Sequence, residues 1–154
     1  MSDADAQQPG QLSWGILERS VGPRVRPLHN ALAARSIAVS APFGFPTGSL
    51  TVLSLIAANP GSSQTALARR AGLNKSALVG IVDELEKHGL AARDRSSADR
   101  RRNSLQVTPA GEALMHELFA TVTRNEQPIR DALGGEDLTT LLALLDRAMA
   151  ALDG

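Results

Sequence analysis

Apolar side chains recur along most of the chain at three- and four-residue intervals, the spacing of helices that bury one face. Between Gln11 and Arg35 the recurrence comes in two pieces: Leu12, Ile16 and Leu17, then Val25, Leu28 and Leu32. Pro23 suits the first turn of a helix, whereas Pro27 fits only if that helix begins near Val25 or is kinked. The pattern predicts a short helix, a break, and a second helix to about Ala38. SAPFGFPTG, residues 40–48, is a Pro/Gly-rich loop. Thr47 is then the predicted cap of a helix to about Ala58, with Leu50, Leu53, Ile56 and Ala57 as its buried stripe. Asn59-Pro60-Gly61 stops it. Ser62 or Ser63 caps a short helix to Ala71 that ends at Gly72. Asn74 opens a third helix, which runs to about His88 and is closed by Gly89.

From Leu90 the period shortens to two. LAARDR, a polar turn SSADRR and RNSLQVT form a predicted hairpin, in which Leu105 and Val107 alternate with Ser104 and Gln106. Thr108-Pro109 starts a helix that reaches about Arg124 or continues, bent, past Pro128. Gly134-Gly135 interrupts it. Glu136 to Leu152 closes the chain as an amphipathic helix, with Leu138, Leu141, Leu142, Leu145, Met149 and Leu152 on one side.

Three helices and a hairpin over residues 47–108 give the layout of a winged helix-turn-helix. The details have physical reasons. In LARRAGL, Ala68 and Gly72 stand four apart, so that two helices approach closely and glycine supplies the left-handed backbone of a sharp turn. Leu67, Leu73, Leu78, Ile81, Val82 and Leu85 fill the space between the helices. The expected fold is therefore mainly α with a two-stranded β-wing. Residues 1–10 are expected to be a disordered tail, 11–46 N-terminal helices and a loop, 47–108 the winged domain, and 109–154 C-terminal helices.

On the helix of residues 74–88, 100° per residue places Ser76, Gly80, Asp83 and Lys87 opposite the apolar stripe, flanked by Lys75 and Val79. Such a helix start favours phosphate, and Asn74, Lys75 and Ser76 can donate to phosphate or base edges. Gly80 allows close backbone approach, and Val79 can meet a thymine methyl. Ser62, Ser63, Gln64 and Thr65 are grouped with them as DNA-contacting candidates. Asp83 and Glu84 repel phosphate, so that end tilts away, and Asp83 is expected to pair with a wing arginine. The hairpin carries Arg93, Arg95, Arg100, Arg101 and Arg102 around Ser96-Ser97-Ala98-Asp99. A thin ribbon tip bearing arginine fits a narrow minor groove. Asp99 there organises the turn or orients an arginine. The alternatives are plainer: an ordinary amphipathic core helix beside a solvated, arginine-bearing loop.

Charge changes this picture only through its distribution. The formal net charge is zero, yet residues 60–108 hold nine Lys/Arg against five acids, while residues 109–154 hold three Arg against eight acids. A basic middle beside an acidic end is the asymmetry of a chain with one phosphate-facing surface. Composition acts mainly by exclusion. At 154 residues, with 43% apolar and 21% charged, the chain fits one folded soluble domain. No apolar run approaches the ~18 residues of a membrane span. Without cysteine there is no disulfide, thiolate zinc site or thiol redox switch. His29, His88 and His116 are scattered, leaving few metal or catalytic options. MSDADAQQPG lacks the basic and apolar parts of a secretory signal, so the expected compartment is the cytoplasm.

Taken together, Leu67–Leu73 (LARRAGL), Val82–Leu90 (VDELEKHGL), and Asp99-Arg100-Arg101 followed by Leu105–Gly111 (LQVTPAG) resemble the MarR family of bacterial transcription regulators. The resemblance spans about residues 45–152. It implies a homodimer built through the N- and C-terminal helices, bound to a pseudo-palindromic operator with recognition helices in major grooves and wings in minor grooves. By position, Asn74, Lys75, Ser76, Val79 and Gly80 fall in the recognition helix, Arg101 is the wing arginine and Asp99 the signature aspartate. Val79 and Gly80 stand where members often carry a polar or basic pair, which shifts weight from base reading to shape. Many members respond to small aromatic or phenolic effectors, and Trp14, His29, Phe43 and Phe45 are the candidate lining, although packing explains each of them as well.

The expected function is thus a homodimeric DNA-binding regulator, a repressor released by a small aromatic or phenolic effector, with no cofactor, no metal and no membrane partner. A winged-helix module that binds protein through its acidic C-terminal part, and no DNA, is the alternative. An enzyme is the third: Glu112 and His116 at helical spacing, with Glu117 following, are its best residues, and neither a nucleophile constellation nor a phosphate-cradling loop accompanies them.

Overall fold

A computed structural model describes residues 12–94 and 104–152. The chain forms two units, up to Ala34 and from Arg35 onward.

The first unit opens with a single 3₁₀ turn, Gly15–Leu17, and most of α1, Gly22–Ser40. Pro23 sits in the first turn of α1, as its fixed φ favours. The helix nonetheless begins three residues before Val25, earlier than the sequence pattern predicts, and continues past Pro27. Arg24 organises the entry. Its Nη1 donates to the Ser20 carbonyl at 3.1 Å, its Nη2 to Glu18 Oε1 at 3.0 Å, and its guanidinium lies 5.1 Å from the Trp14 ring centre.

In the second unit, α2 (Ser49–Ala58), α3 (Gln64–Arg70) and α4 (Lys75–Lys87) are followed by β1 (Ala91–Asp94), β2 (Ser104–Val107) and α5 (Pro109–Leu152). The strands pair antiparallel, with Ala91 opposite Val107 and Arg93 opposite Leu105. The α5 segment is two helices joined at Gly134, whose φ of 71° and ψ of 178° interrupt the helical path, and its first part continues past Pro128.

The core lies where α2, α3, α4 and the hairpin root meet, around Leu53, Leu78, Leu85, Val52 and Val82. Burying each such side chain contributes about 1.5–3 kcal/mol. Two expectations for α2 are corrected. Its cap is Gly48, not Thr47: Gly48 takes φ 95°, and the buried Ser49 hydroxyl donates to the Pro46 carbonyl at 2.7 Å, which winds the chain one residue further before the helix starts. That rotation makes Ser49, Val52, Leu53 and Ile56 the buried stripe, leaves Leu50 half-buried and exposes Ala57.

The turn chemistry of α3 and α4 follows the residues. Ser63 Oγ accepts from the Ala66 amide at 3.1 Å, and Asn74 Oδ1 from the Ala77 amide at 2.8 Å, each satisfying an orphan donor at a helix start. Both helices end alike: Leu73 N donates to Ala68 O at 2.9 Å and Leu90 N to Leu85 O at 2.8 Å, across Gly72 and Gly89 at φ 68° and 70°. This closure needs a left-handed residue, hence glycine at both places.

The hairpin root is locked to α5. Thr108 Oγ1 donates to the Gly89 carbonyl at 2.6 Å and accepts from the Gly111 amide at 3.1 Å. Gly111 presses so close that a Cβ there would stand 2.0 Å from the Leu90 carbonyl oxygen.

Candidate nucleic-acid interface

The buried stripe of α4 is Leu78, Ile81, Val82 and Leu85. On its other side Lys75, Ser76 and Gly80 are exposed, and Val79 is half-buried. Asn74 at the N-cap satisfies one amide of the first turn and leaves the helix start open to solvent. Gly80 is informative because nothing among the described residues demands it. Its φ is ordinary, and a methyl group built on it would meet no atom within 4 Å. A glycine inside a helix costs about 0.5–1 kcal/mol relative to alanine, so the residue leaves a notch in the outward ridge without serving the fold. At the start of α3, Ser63 and Thr65 are exposed, and Ser62 and Gln64 half-buried.

The hairpin root is fixed to α4 by one arginine. Arg93 Nη2 donates to Asp83 Oδ1 at 2.7 Å, its Nη1 pairs with Glu86 Oε2, and its backbone amide donates to Glu86 Oε1 at 2.9 Å. Only 18% of its side chain is exposed. Asp83 therefore does meet a wing arginine, and that arginine is spent within the protein. Glu86, three residues from Asp83 on the same side of the helix, is the partner that the sequence reading missed; that spacing was the available signal. Arg95, Asp99, Arg100, Arg101 and Arg102 lie outside the described residues.

The proposed ligand-lining residues have different surroundings. Trp14, in the first unit, faces the Arg24 guanidinium, and His29 is exposed on α1. In the second unit Phe45 packs against the core and meets the His88 ring edge-on, centroids 5.1 Å apart. Phe43 instead lines an open cleft of about 570 Å³ between the end of α1 and α5, with Ala38, Pro42, Glu117, Thr121 and Arg124. Among the described residues no group of three or more His, Asp or Glu side chains converges as a metal site, and no helix is long and apolar enough to cross a membrane.

A capped helix projecting from a three-helix core beside a two-stranded ribbon defines the winged helix-turn-helix class. Within that class the chain belongs to the MarR family, whose family model matches residues 43–102. It is similar to the transcriptional repressor CouR bound to a 23-mer DNA duplex, with 31% identity over 90% of this chain and 98% of that one and a TM-score of 0.73. NadR in complex with 4-hydroxyphenylacetate is 27% identical, with a TM-score of 0.71, over 92% of this chain and 96% of that one. A proposed transcriptional regulatory protein for the hcr operon of Thauera aromatica is 38% identical over 104 residues, 68% of this chain. The match spans 63% of that relative's length.

Proposed function

We propose that the protein is a homodimeric, DNA-binding transcriptional repressor that a small aromatic or phenolic effector releases from a pseudo-palindromic operator. The observation that carries this reading is the outer ridge of α4. Asn74, Lys75, Ser76, Val79 and Gly80 form a polar, notched surface around an open helix start, opposite a fully buried stripe. Free amides and a lysine at such a start attract phosphate, and a missing side chain lets a duplex approach. Ser62, Ser63, Gln64 and Thr65 would add contacts from the start of α3, and Arg95, Arg100, Arg101 and Arg102 would reach the minor groove, with Asp99 shaping the turn. The DNA-bound CouR and the 4-hydroxyphenylacetate-bound NadR support the DNA and effector parts.

Selection of bound DNA from a random pool with purified protein tests it. The expected product is an inverted repeat with half-site centres about 10 base pairs apart or a multiple of that. Binding should weaken steeply with salt, because phosphate contacts release counterions. Arg101→Ala should weaken the complex and leave the far-ultraviolet circular dichroism spectrum unchanged. Recovery of no enriched sequence, with no salt-sensitive shift of any duplex, would overturn the reading.

A further inference from the structure

Arg70, the last residue of α3, reaches the far end of α5: its Nη2 donates to Asp146 Oδ1 at 3.0 Å, between residues 76 positions apart. The two side chains are 57% and 58% exposed, and a surface ion pair of this kind contributes little to stability. What it connects gives it a different role. The start of α3 holds the proposed duplex contacts Ser62, Ser63, Gln64 and Thr65, and Leu67 and Ala68 seat the helix in the core. The direction of α3 is therefore the direction of the reading head. Asp146 stands on the other side of the break in α5. At Gly134 the backbone leaves the helical path, and a Cβ built there would meet nothing within 4 Å, so no neighbouring side chain presses on the joint from that side. Asp146 lies twelve residues beyond it, about 18 Å along the helix. At 100° per residue it is about 40° round from Leu142, at the rim of the exposed apolar face of Leu142, Leu145, Met149 and Leu152.

From these placements we infer that Arg70 and Asp146 are a positioning pair, whose bridge fixes the angle of the helix beyond Gly134 against α3 and so the distance between the two reading heads of the dimer. The magnitudes show why so weak a contact matters. A swing of about 10° at Gly134 displaces Asp146 by about 3 Å, close to the rise of one base pair, about 3.4 Å. A pair that adds little to folding thus decides which half-site spacing the two heads match. Its place at the rim of the apolar face puts it beside the joint between subunits without burying its charges there. The inference rests on the homodimeric, DNA-binding reading above, to which it adds the contact that sets the spacing.

The chain has no cysteine, so Ala66→Cys, at an exposed position of α3, puts a single thiol on each reading head. A nitroxide attached there reports the head-to-head distance by pulsed electron paramagnetic resonance. The labelled parent should give one narrow distribution. Arg70→Gln and Asp146→Asn should each broaden it and shift its mean by about 3 Å or more. These two variants change the charge in opposite directions, so a general electrostatic effect would move the heads oppositely, whereas loss of the bridge moves them alike. Exchanging the charges, Arg70→Asp with Asp146→Arg, should restore the parental distribution. Arg69→Gln removes the adjacent charge, which has no ion pair among the described residues, and should leave the distance unchanged. All of these positions are exposed. DNA selection with the same proteins should give half-site spacings relaxed by about one base pair in the two single variants. Unchanged distances in the single variants, no restoration by the exchange, an equal shift in Arg69→Gln, or a monomer with no inter-label distance would overturn the inference. If the parent then still enriches an inverted repeat, the failure belongs to the bridge alone. Distances that respond as expected in a protein that enriches no DNA uphold the bridge and sink the regulatory reading.

Discussion

Gly80 separates two demands that usually coincide at a helix residue. Alanine there gains helix propensity and has open space for its methyl group, so Gly80→Ala should raise the unfolding free energy by about 0.5–1 kcal/mol. The same methyl group fills the notch facing the proposed duplex, so operator affinity should fall. Urea unfolding and a DNA-shift titration on one preparation read both; a variant that gains stability and keeps full affinity would remove Gly80 from the interface. Single residues were legible in the sequence where one side chain settles the matter. Ser63 and Asn74 each cap a helix through their own oxygen. Thr47 failed as a cap because the start of α2 is set by three residues together: the left-handed Gly48, and Ser49 turned inward onto Pro46. Gly111 gave no sign of its role either, since what it touches, the Leu90 carbonyl, is twenty-one positions away in the chain.

Among the elements, the pairing of α4 with the hairpin depends on Arg93. Replacing it with methionine keeps the stem and removes the charge, leaving Glu86, itself only 24% exposed, without its cation. Arg93→Met should destabilise the protein by about 1–3 kcal/mol and loosen the ribbon relative to α4, lowering DNA affinity beyond what the stability loss explains. Asp83→Asn should do much less, because Asp83 is 57% exposed and surface ion pairs contribute little. Equal losses in thermal unfolding for the two variants would count against this ranking. The order of helices, turn and hairpin was legible because each boundary carries its own glycine, proline or cap. The prolines of α1 were less so. Pro27 lacks an amide and should break an isolated helix, yet α1 passes through it, an outcome that local sequence rules weigh the other way.

At the scale of the whole molecule, the last stretch of α5 presents Leu142, Leu145, Met149 and Leu152, which share one side of the helix, to solvent in the single chain, with Leu142 and Leu152 at 55% and 86% exposure. A contiguous apolar face of this kind marks an association surface, which the proposed homodimer covers. Leu145→Glu combined with Met149→Glu should shift sedimentation from dimer to monomer and abolish operator binding, while α2, α3 and α4, which hold the core, stay folded. A double variant that sediments as the parent would place the association elsewhere. The sequence showed this face through its helical spacing; it could not show that the face lies uncovered within one chain, since spacing is the same for a helix buried in its own subunit.

The seat of Gly111 on the Leu90 carbonyl has a mechanical corollary. With no gap at that contact and Thr108 bonded across it, the first part of α5 is seated directly on the base of the ribbon, so a push on that helix start is passed to the ribbon rather than absorbed between them.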